Sequence, residues 1–453
     1  MSAEHVLDLA VIGGGSGGVR CARTAASLGA RVAIFEEGAF GGTCVNLGCV
    51  PKKLLAYGAH VAHELADARG IGWPIPEMRL DWRELLTRKD REILRLNGAY
   101  EGLLVAAGVE IVRARAKIGG TPGALVVDAG DRTYAAKNVV IATGGYPRRP
   151  EIPGAELADV SDDFFHWPAL PGSIVIIGAG YVAVEIASVL AALGVQIDLL
   201  ARNEVLSGFD PDVRTFFASE LQKTGIRVHE HRGDVTGIEI EGGLRVVHDA
   251  RGGRFVAERA LLGIGRVPRS RGLGLEALGV AIEQQAVISD ARYHTNVPGV
   301  YAIGDVTSKT ELTPVALAEG MLLARALFGA PGGTLPYELV PTAVFSMPPV
   351  AVVGMSEPTA RARGLSVKIF RTSFKPLKHT ITGRDQRTMM KIVVDAASDR
   401  VLGIHMVGDD APEIIQGFAV ALMAGVTKAQ MDATIGVHPT SAEEMVTMRT
   451  PVG

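Results

Sequence analysis

Twice along this chain a short apolar run breaks into a glycine-spaced turn, continues as a helical stretch and ends in a second apolar run. The first copy begins at residues 7–12 and turns at Gly13-Gly14-Gly15-Ser16-Gly17-Gly18. An alanine-rich stretch to about Leu28 and an apolar run at 31–35 follow, closed by Glu36. The second copy begins at 174–177 and turns at Gly178-Ala179-Gly180-Tyr181-Val182-Ala183. A helical stretch to Leu193 and an apolar run at 195–200 follow. Strand, glycine turn, helix and strand at this spacing predict two βαβ units with parallel strands.

In such a unit the first glycine makes the turn, the second admits a pyrophosphate and the third lets helix and strand pack closely. The helix N-terminus offers free N–H groups and positive potential to phosphate. Gly13, Gly15 and Gly18 meet this pattern. Glu36, at the end of the second strand, is placed to bond the ribose hydroxyls of FAD or NAD. In the second copy Gly178 and Gly180 are kept, with Ala183 as the third small residue. The position equivalent to Glu36 is Ala201, followed by Arg202. Loss of the acid and gain of a guanidinium suit a 2′-phosphate, hence NADPH. One chain with both sites implies a flavoenzyme that takes hydride from NADPH and passes electrons onward.

Other short apolar strands end in glycine at 139–144, 260–265 and 300–304. Together with the turns they account for a glycine count of 55 in 453 residues, above the usual ~7%. The proline-rich stretch 147–153 reads as a linker, and Gly329–Pro336 as a junction. Beyond it, strands are expected at 367–370, 389–394 and 401–405, and helices at 413–424 and 442–448, as a separate α+β unit. A formal charge of -3 gives no support to a nucleic-acid or polybasic membrane binder. The N-terminus has no basic region or cleavage pattern, and no apolar run is long enough to span a bilayer, so a cytoplasmic location without membrane partners is expected.

Three cysteines cannot staple a chain of this size, and all lie early: Cys21, Cys44 and Cys49. The last two stand in the string Gly41-Gly42-Thr43-Cys44-Val45-Asn46-Leu47-Gly48-Cys49-Val50-Pro51-Lys52-Lys53. If Cys49 opens a helix, one irregular turn can bring the two sulfurs into bonding range. A helix start with Lys52 and Lys53 nearby would favour a thiolate. Two buried, inert cysteines are the alternative. A metal pair would want more ligands, and none lie nearby.

The whole string resembles the redox-disulfide signature of the pyridine nucleotide-disulfide oxidoreductases. The resemblance extends over essentially the full chain, through GAGYVAVE, IGRVP, YAIGDV and GVHPTSAEEMVTMR. It implies an α/β protein with two Rossmann-like FAD- and NAD(P)-binding domains of the three-layer ββα type and a C-terminal α+β dimerisation domain. The implied boundaries are 1–148 for FAD, 149–268 for NADPH, 269–337 for a central segment completing the FAD region, and 338–453 for the dimer-forming tail. The implied reaction is NADPH-dependent reduction of oxidised glutathione through FAD and a Cys44–Cys49 redox disulfide. Trypanothione disulfide is the alternative substrate, with Glu92 and Glu319 as acids that suit a cationic adduct.

The resemblance also implies roles. Cys44 attacks the substrate and Cys49 contacts the flavin. Lys52 pairs with Glu185 beside the flavin, and Tyr181 covers it. Ser16, Gly17, Gly42, Thr43, Thr143, Gly144, Gly304, Asp305 and Thr313 belong to the cofactor sites, and Arg266 supports NADPH. Arg23 and Tyr100 line the glutathione site. His438, oriented by Glu443, is the acid–base group, reaching the site and its cofactor from the other subunit of a homodimer. The family also places a second 2′-phosphate arginine five residues after Arg202. Here Ser207 stands there, which should weaken the NADPH preference by ~1 kcal/mol. The arginine common after the TPVA segment in animal and enteric members is Met321. That position and the stretch 378–385 are closer to plant, cyanobacterial and proteobacterial members. Cys21 is left as a packing residue.

Overall fold

The computed structural model describes residues 6–329 and 333–452. Residues 330–332 of the Gly329–Pro336 junction and the first five residues of the N-terminus lie outside them. Two compact units form. One comprises Met1–Lys52, Leu86–Arg148 and Arg266–Leu335; the other comprises Lys53–Leu85, Arg149–Gly265 and Pro336–Gly453.

The first unit is built on a five-stranded parallel sheet ordered Val300–Ala302, Val139–Ile141, Leu9–Ile12, Val32–Phe35, Glu110–Val112. Side chains alternate across a strand, and here both faces are buried. Ala10, Ile12, Phe35 and Ile141 pack against a second sheet through Leu125, Val127 and Tyr134. Leu9, Val11, Ile34 and Val140 pack against helices through Val19, Cys21, Ala25 and Leu323. This sheet–sheet–helix layering is the expected ββα form. The residues of YAIGDV supply an outer strand of the same sheet. Cys21 is fully buried in the helical layer, as a packing residue would be, and burial pushes its thiol up to about 12. The helices Ser16–Ser27 and Thr313–Phe328 pack closely at Gly320, where a Cβ would fall 2.4 Å from the Gly17 carbonyl oxygen.

The expected linker at 147–153 needs correction at its start. Gly145–Pro147 is a strand, paired antiparallel with Arg266–Pro268 so that Pro147 faces Arg266. Only the residues after it run free of that ribbon. Proline is tolerated in such a two-stranded edge because it need not donate.

In the second unit, five parallel strands run in the order Asp159–Val160, Arg259–Leu262, Ser173–Ile177, Gln196–Leu200, Arg227–His229. Val175, Ile177, Leu200 and Leu262 bury one face against Ile238, Val247 and Ala257 of a three-stranded sheet. The helix Tyr181–Ala192 is buried from Ala183 to Leu190. The tail forms a five-stranded antiparallel sheet, Thr342–Val344, Val350–Gly354, Val401–Val407, Thr388–Asp395, Val367–Phe374, with the helix Ala411–Met423 against it. The helix expected at 442–448 is shorter: a 3-10 turn Ser441–Glu443 and a four-residue helix Glu444–Thr447. Thr440 caps that turn, and its side chain takes the Glu443 N–H.

One buried charge cluster binds this unit internally. Lys391, 1% exposed, donates to Asp210 Oδ1 at 2.9 Å, Asp212 Oδ2 at 2.7 Å and Glu357 Oε2 at 2.8 Å. Asp210 caps the helix Pro211–Gln222 through the Asp212 N–H and accepts the Glu357 N–H at 3.0 Å. Burial opposes the charge on both Asp210 and Lys391. Burial is the largest single effect on each, but the hydrogen bonds and charges of the whole cluster together outweigh it, so the carboxyl is held below and the ammonium above the usual range. Among the described residues no helix is long and apolar enough to cross a membrane.

Candidate active site

The two glycine turns end in matching geometry. Gly15 and Gly180 are the N-caps of Ser16–Ser27 and Tyr181–Ala192, and neither helix start is closed by a side-chain hydrogen bond or an acid in its first turn. A Cβ on Gly180 would meet no atom within 4 Å, and one on Gly15 would meet only the Gly42 Cα at 3.8 Å. Both caps therefore open onto space at a helix N-terminus, where a pyrophosphate can approach the backbone. The residues present fit the dinucleotides expected.

Around the first turn, Glu36 accepts the N–H groups of Gly14 at 2.6 Å and Gly38 at 2.7 Å. A carboxylate has acceptor capacity left for ribose hydroxyls after two such bonds. Thr143 Oγ1 donates to the Arg269 carbonyl at 2.6 Å, next to Gly144 in its left-handed conformation. Asp305 follows Gly304 in a 3-10 turn, and burial, with the nearby Glu319 charge, raises its carboxyl despite Arg266. Arg266 lies in this same unit and donates to the Gly145 carbonyl at 2.7 Å and to Thr43 Oγ1 at 3.3 Å.

The cysteine string folds directly onto the turn. Gly42 has a positive φ of 59°, and a Cβ there would fall 2.7 Å from the Gly15 Cα. Only glycine allows that approach. Cys44 lies in the short helix Gly42–Asn46, and Cys49 opens the helix Cys49–Gly70, as expected. Lys52 is in its first turn. Both cysteines are free thiols, and they lie close enough for each to act on the other's charge. Thr313 Oγ1 stands 3.6 Å from Cys49 Sγ. The Cys44 thiol is pushed up, first by its hydrogen bond with Cys49, then by burial and by the neighbouring charge. The thiolate expected at a helix start belongs to Cys49, which opens the longer helix, and not to Cys44. At this spacing a second negative charge is opposed, so the pair holds one at a time.

Two asparagines that sequence reasoning missed hold the string in place. Asn97 Nδ2 donates to the Phe40 carbonyl at 2.7 Å and to Asn46 Oδ1 at 2.9 Å, and Asn46 Nδ2 donates to the Gly42 carbonyl at 2.9 Å. Asn46 sat inside the quoted motif; Asn97 carried no signal. Tyr100, one helical turn beyond Asn97, lies within the influence of Cys44 and Ser16. Burial and then the Cys44 charge raise its phenol. Arg23 is half-buried, and its buried Nε has no hydrogen-bond partner among the described residues.

The two acids read as signs of a cationic substrate are otherwise engaged. Glu319 is 2% exposed and accepts the Gly304 N–H at 2.6 Å, and Glu92 pairs with Arg95 on the surface at 2.7 Å.

In the second unit, Glu185 is buried on the helix Tyr181–Ala192 and accepts the Phe345 N–H at 2.7 Å. Tyr181, at the start of that helix, is exposed. Arg202 is exposed beside Asp234. His438 Nδ1 faces both Glu443 oxygens at 3.1 Å, with the imidazole 80% exposed. Nδ1 held by a carboxylate leaves Nε2 outward, the arrangement that fixes a histidine for proton transfer.

Comparison with known proteins agrees with this geometry. Residues 7–320 match the pyridine nucleotide-disulphide oxidoreductase model, and residues 340–449 match the dimerisation domain of the same family. A protein named glutathione reductase from Burkholderia cepacia is 45% identical over 98% of this chain and 99% of its own length. One of the same name from Nostoc is 42% identical over 98% and 99%. The chloroplastic/mitochondrial glutathione reductase of Pisum sativum is 40% identical over 99% of this chain and 83% of its own length. The chain belongs to the pyridine nucleotide-disulphide oxidoreductase family.

Proposed function

We propose that this chain reduces oxidised glutathione to two glutathione molecules, using NADPH and a resident FAD. The observation that carries this reading is the neighbouring pair Cys44 and Cys49, whose string packs through Gly42 onto an open dinucleotide turn. FAD would be held by Gly13, Gly15, Ser16, Gly17, Gly18, Glu36, Gly42, Thr43, Lys52, Thr143, Gly144, Gly304, Asp305 and Thr313. NADPH would be held by Gly178, Gly180, Tyr181, Glu185, Arg202 and Arg266. Once bound, the two groups supply the hydride and electron pair that keep the cysteines reduced.

The chain's own residues do the thiol chemistry. Cys44, as thiolate, attacks one sulfur of glutathione disulfide; the S–S bond breaks and a mixed disulfide forms on Cys44. The departing glutathione thiolate takes a proton from His438. Cys49 then attacks the Cys44 sulfur, a Cys44–Cys49 disulfide forms and the second glutathione leaves. Arg23 and Tyr100 orient the substrate. Lys52 and Glu185 act beside the flavin. The dimerisation domain supports a homodimer, in which His438 and Glu443 serve the partner's cysteines. The boundaries we propose are 1–148 for FAD, 149–268 for NADPH, 269–337 for the segment completing the FAD region and 338–453 for the dimer tail. Bacterial relatives support a cytoplasmic location.

NADPH oxidation measured with oxidised glutathione, trypanothione disulfide, lipoamide and thioredoxin tests the assignment. Turnover is expected with oxidised glutathione well above the others, and none with it would overturn the reading. His438→Gln should lower kcat by about 10²–10⁴-fold, the usual range for a lost acid–base group. Glu443→Gln should lower it less. A His438→Gln rate within threefold of wild type would remove His438 from the mechanism.

A further inference from the structure

The segment after the strand Gln196–Leu200 is held by a neighbouring one. The N–H groups of His231, Arg232 and Gly233 donate to the carbonyls of Asn203, Ala201 and Arg202 at 2.8, 3.0 and 3.2 Å. Asp234 comes next, fixed on its other side by the Ala250 N–H on its carbonyl at 2.9 Å. The result sets Asp234 Oδ1 3.5 Å from Arg202 Nε, with side chains 74% and 72% exposed. Farther along, Glu204 and the Ser207 carbonyl meet Arg214 Nη1 at 3.4 and 3.3 Å. Each of these two arginines is thus matched by a carboxylate, and Ser207 adds no cation.

A 2′-phosphate bound at Arg202 would face the Asp234 carboxylate, like charge against like. A 2′-hydroxyl would not be opposed, and a carboxylate can accept its proton. We propose that Asp234 is a specificity-determining residue for the coenzyme: it competes with the 2′-phosphate for Arg202 and so limits the preference for NADPH over NADH. This rests on the NADPH reading above.

The test is Asp234→Asn in the holoenzyme, read by calorimetric binding of 2′,5′-ADP and of 5′-AMP, and by kcat/KM for NADPH and NADH. Both side chains are exposed, so the exchange leaves the fold intact. Removing one like charge at close range in water should tighten 2′,5′-ADP by about 3–10-fold, more at low salt. Binding of 5′-AMP should stay within twofold, and the NADPH/NADH ratio should rise in step with 2′,5′-ADP. Asp234→Glu should return both towards wild type. Unchanged relative binding of 2′,5′-ADP and 5′-AMP in Asp234→Asn would overturn the proposal. Failure of the underlying reading has a separate signature: Arg202→Leu would then leave 2′,5′-ADP binding at its wild-type strength.

Discussion

Replacing Cys49 by serine is expected to abolish turnover with oxidised glutathione, by more than ~10³-fold, while the protein stays folded and dimeric. The same loss is expected for Cys44→Ser. In the proposed cycle each sulfur makes and breaks a covalent bond, and an alcohol replaces neither nucleophile nor leaving group at neutral pH. The two losses should be strongly non-additive, because the pair acts as one unit. Steady-state rates with NADPH and oxidised glutathione measure this, with Cys21→Ala as the comparison. Cys21 is fully buried in the helical layer, so its loss should cost stability and leave kcat nearly unchanged. Retention of a tenth of the activity by either serine variant would sink the role given to the pair.

Lys391→Met should destabilise the protein by about 3–5 kcal/mol, the usual cost of removing one partner from a buried ion pair. Asp210, 1% exposed, would be left without its main counter-charge. Urea unfolding of the two proteins followed by tryptophan fluorescence gives the difference. The sign with pH follows from the shifts. In wild type the Asp210 carboxyl is held low, so its contribution is present above the ordinary carboxylate range, near pH 4, and is lost as pH falls through the lower folded value. In the variant the isolated buried carboxyl should titrate high, so protonation relieves it. The gap between the proteins should therefore narrow in acid. Asp210→Asn should be less harmful in the Lys391→Met background than in wild type. A single-variant loss under 1 kcal/mol would show that the cluster is not a clamp.

Much of the fold was legible because apolar runs buried on both faces of a parallel sheet leave a local signature. The strands Leu9–Ile12, Ser173–Ile177 and Val300–Ala302 lie in runs that end in glycine, and Val32–Phe35 in one closed by Glu36. The cysteine pair was legible only through the resemblance of its whole string to the family signature; the approach of Gly42 to Gly15 needed the structure. Long-range polar contacts were not legible. Lys391 sits in a strand between Met389-Met390 and Ile392-Val393-Val394, and its Asp210 partner is 181 residues away in the chain. Glu319 looked like a substrate-facing acid from its place after TPVA, yet its carboxylate closes onto a backbone N–H. The helix expected at 442–448 breaks early because Thr440 and Glu443 cap a short turn, and the Glu443 carboxylate also meets His438.

The ribbon of Gly145–Pro147 with Arg266–Pro268 closes a long loop in the first unit. It brings together one of the points at which the chain leaves that unit and the point at which it next returns. Residues 148–265 therefore form a guest whose two ends are already joined in the host. Loop-closure entropy grows only slowly with length, by about 0.6 kcal/mol for each doubling, so the host is nearly blind to how long the guest is. A guest of half or twice this length would cost the host little more to close than the present one.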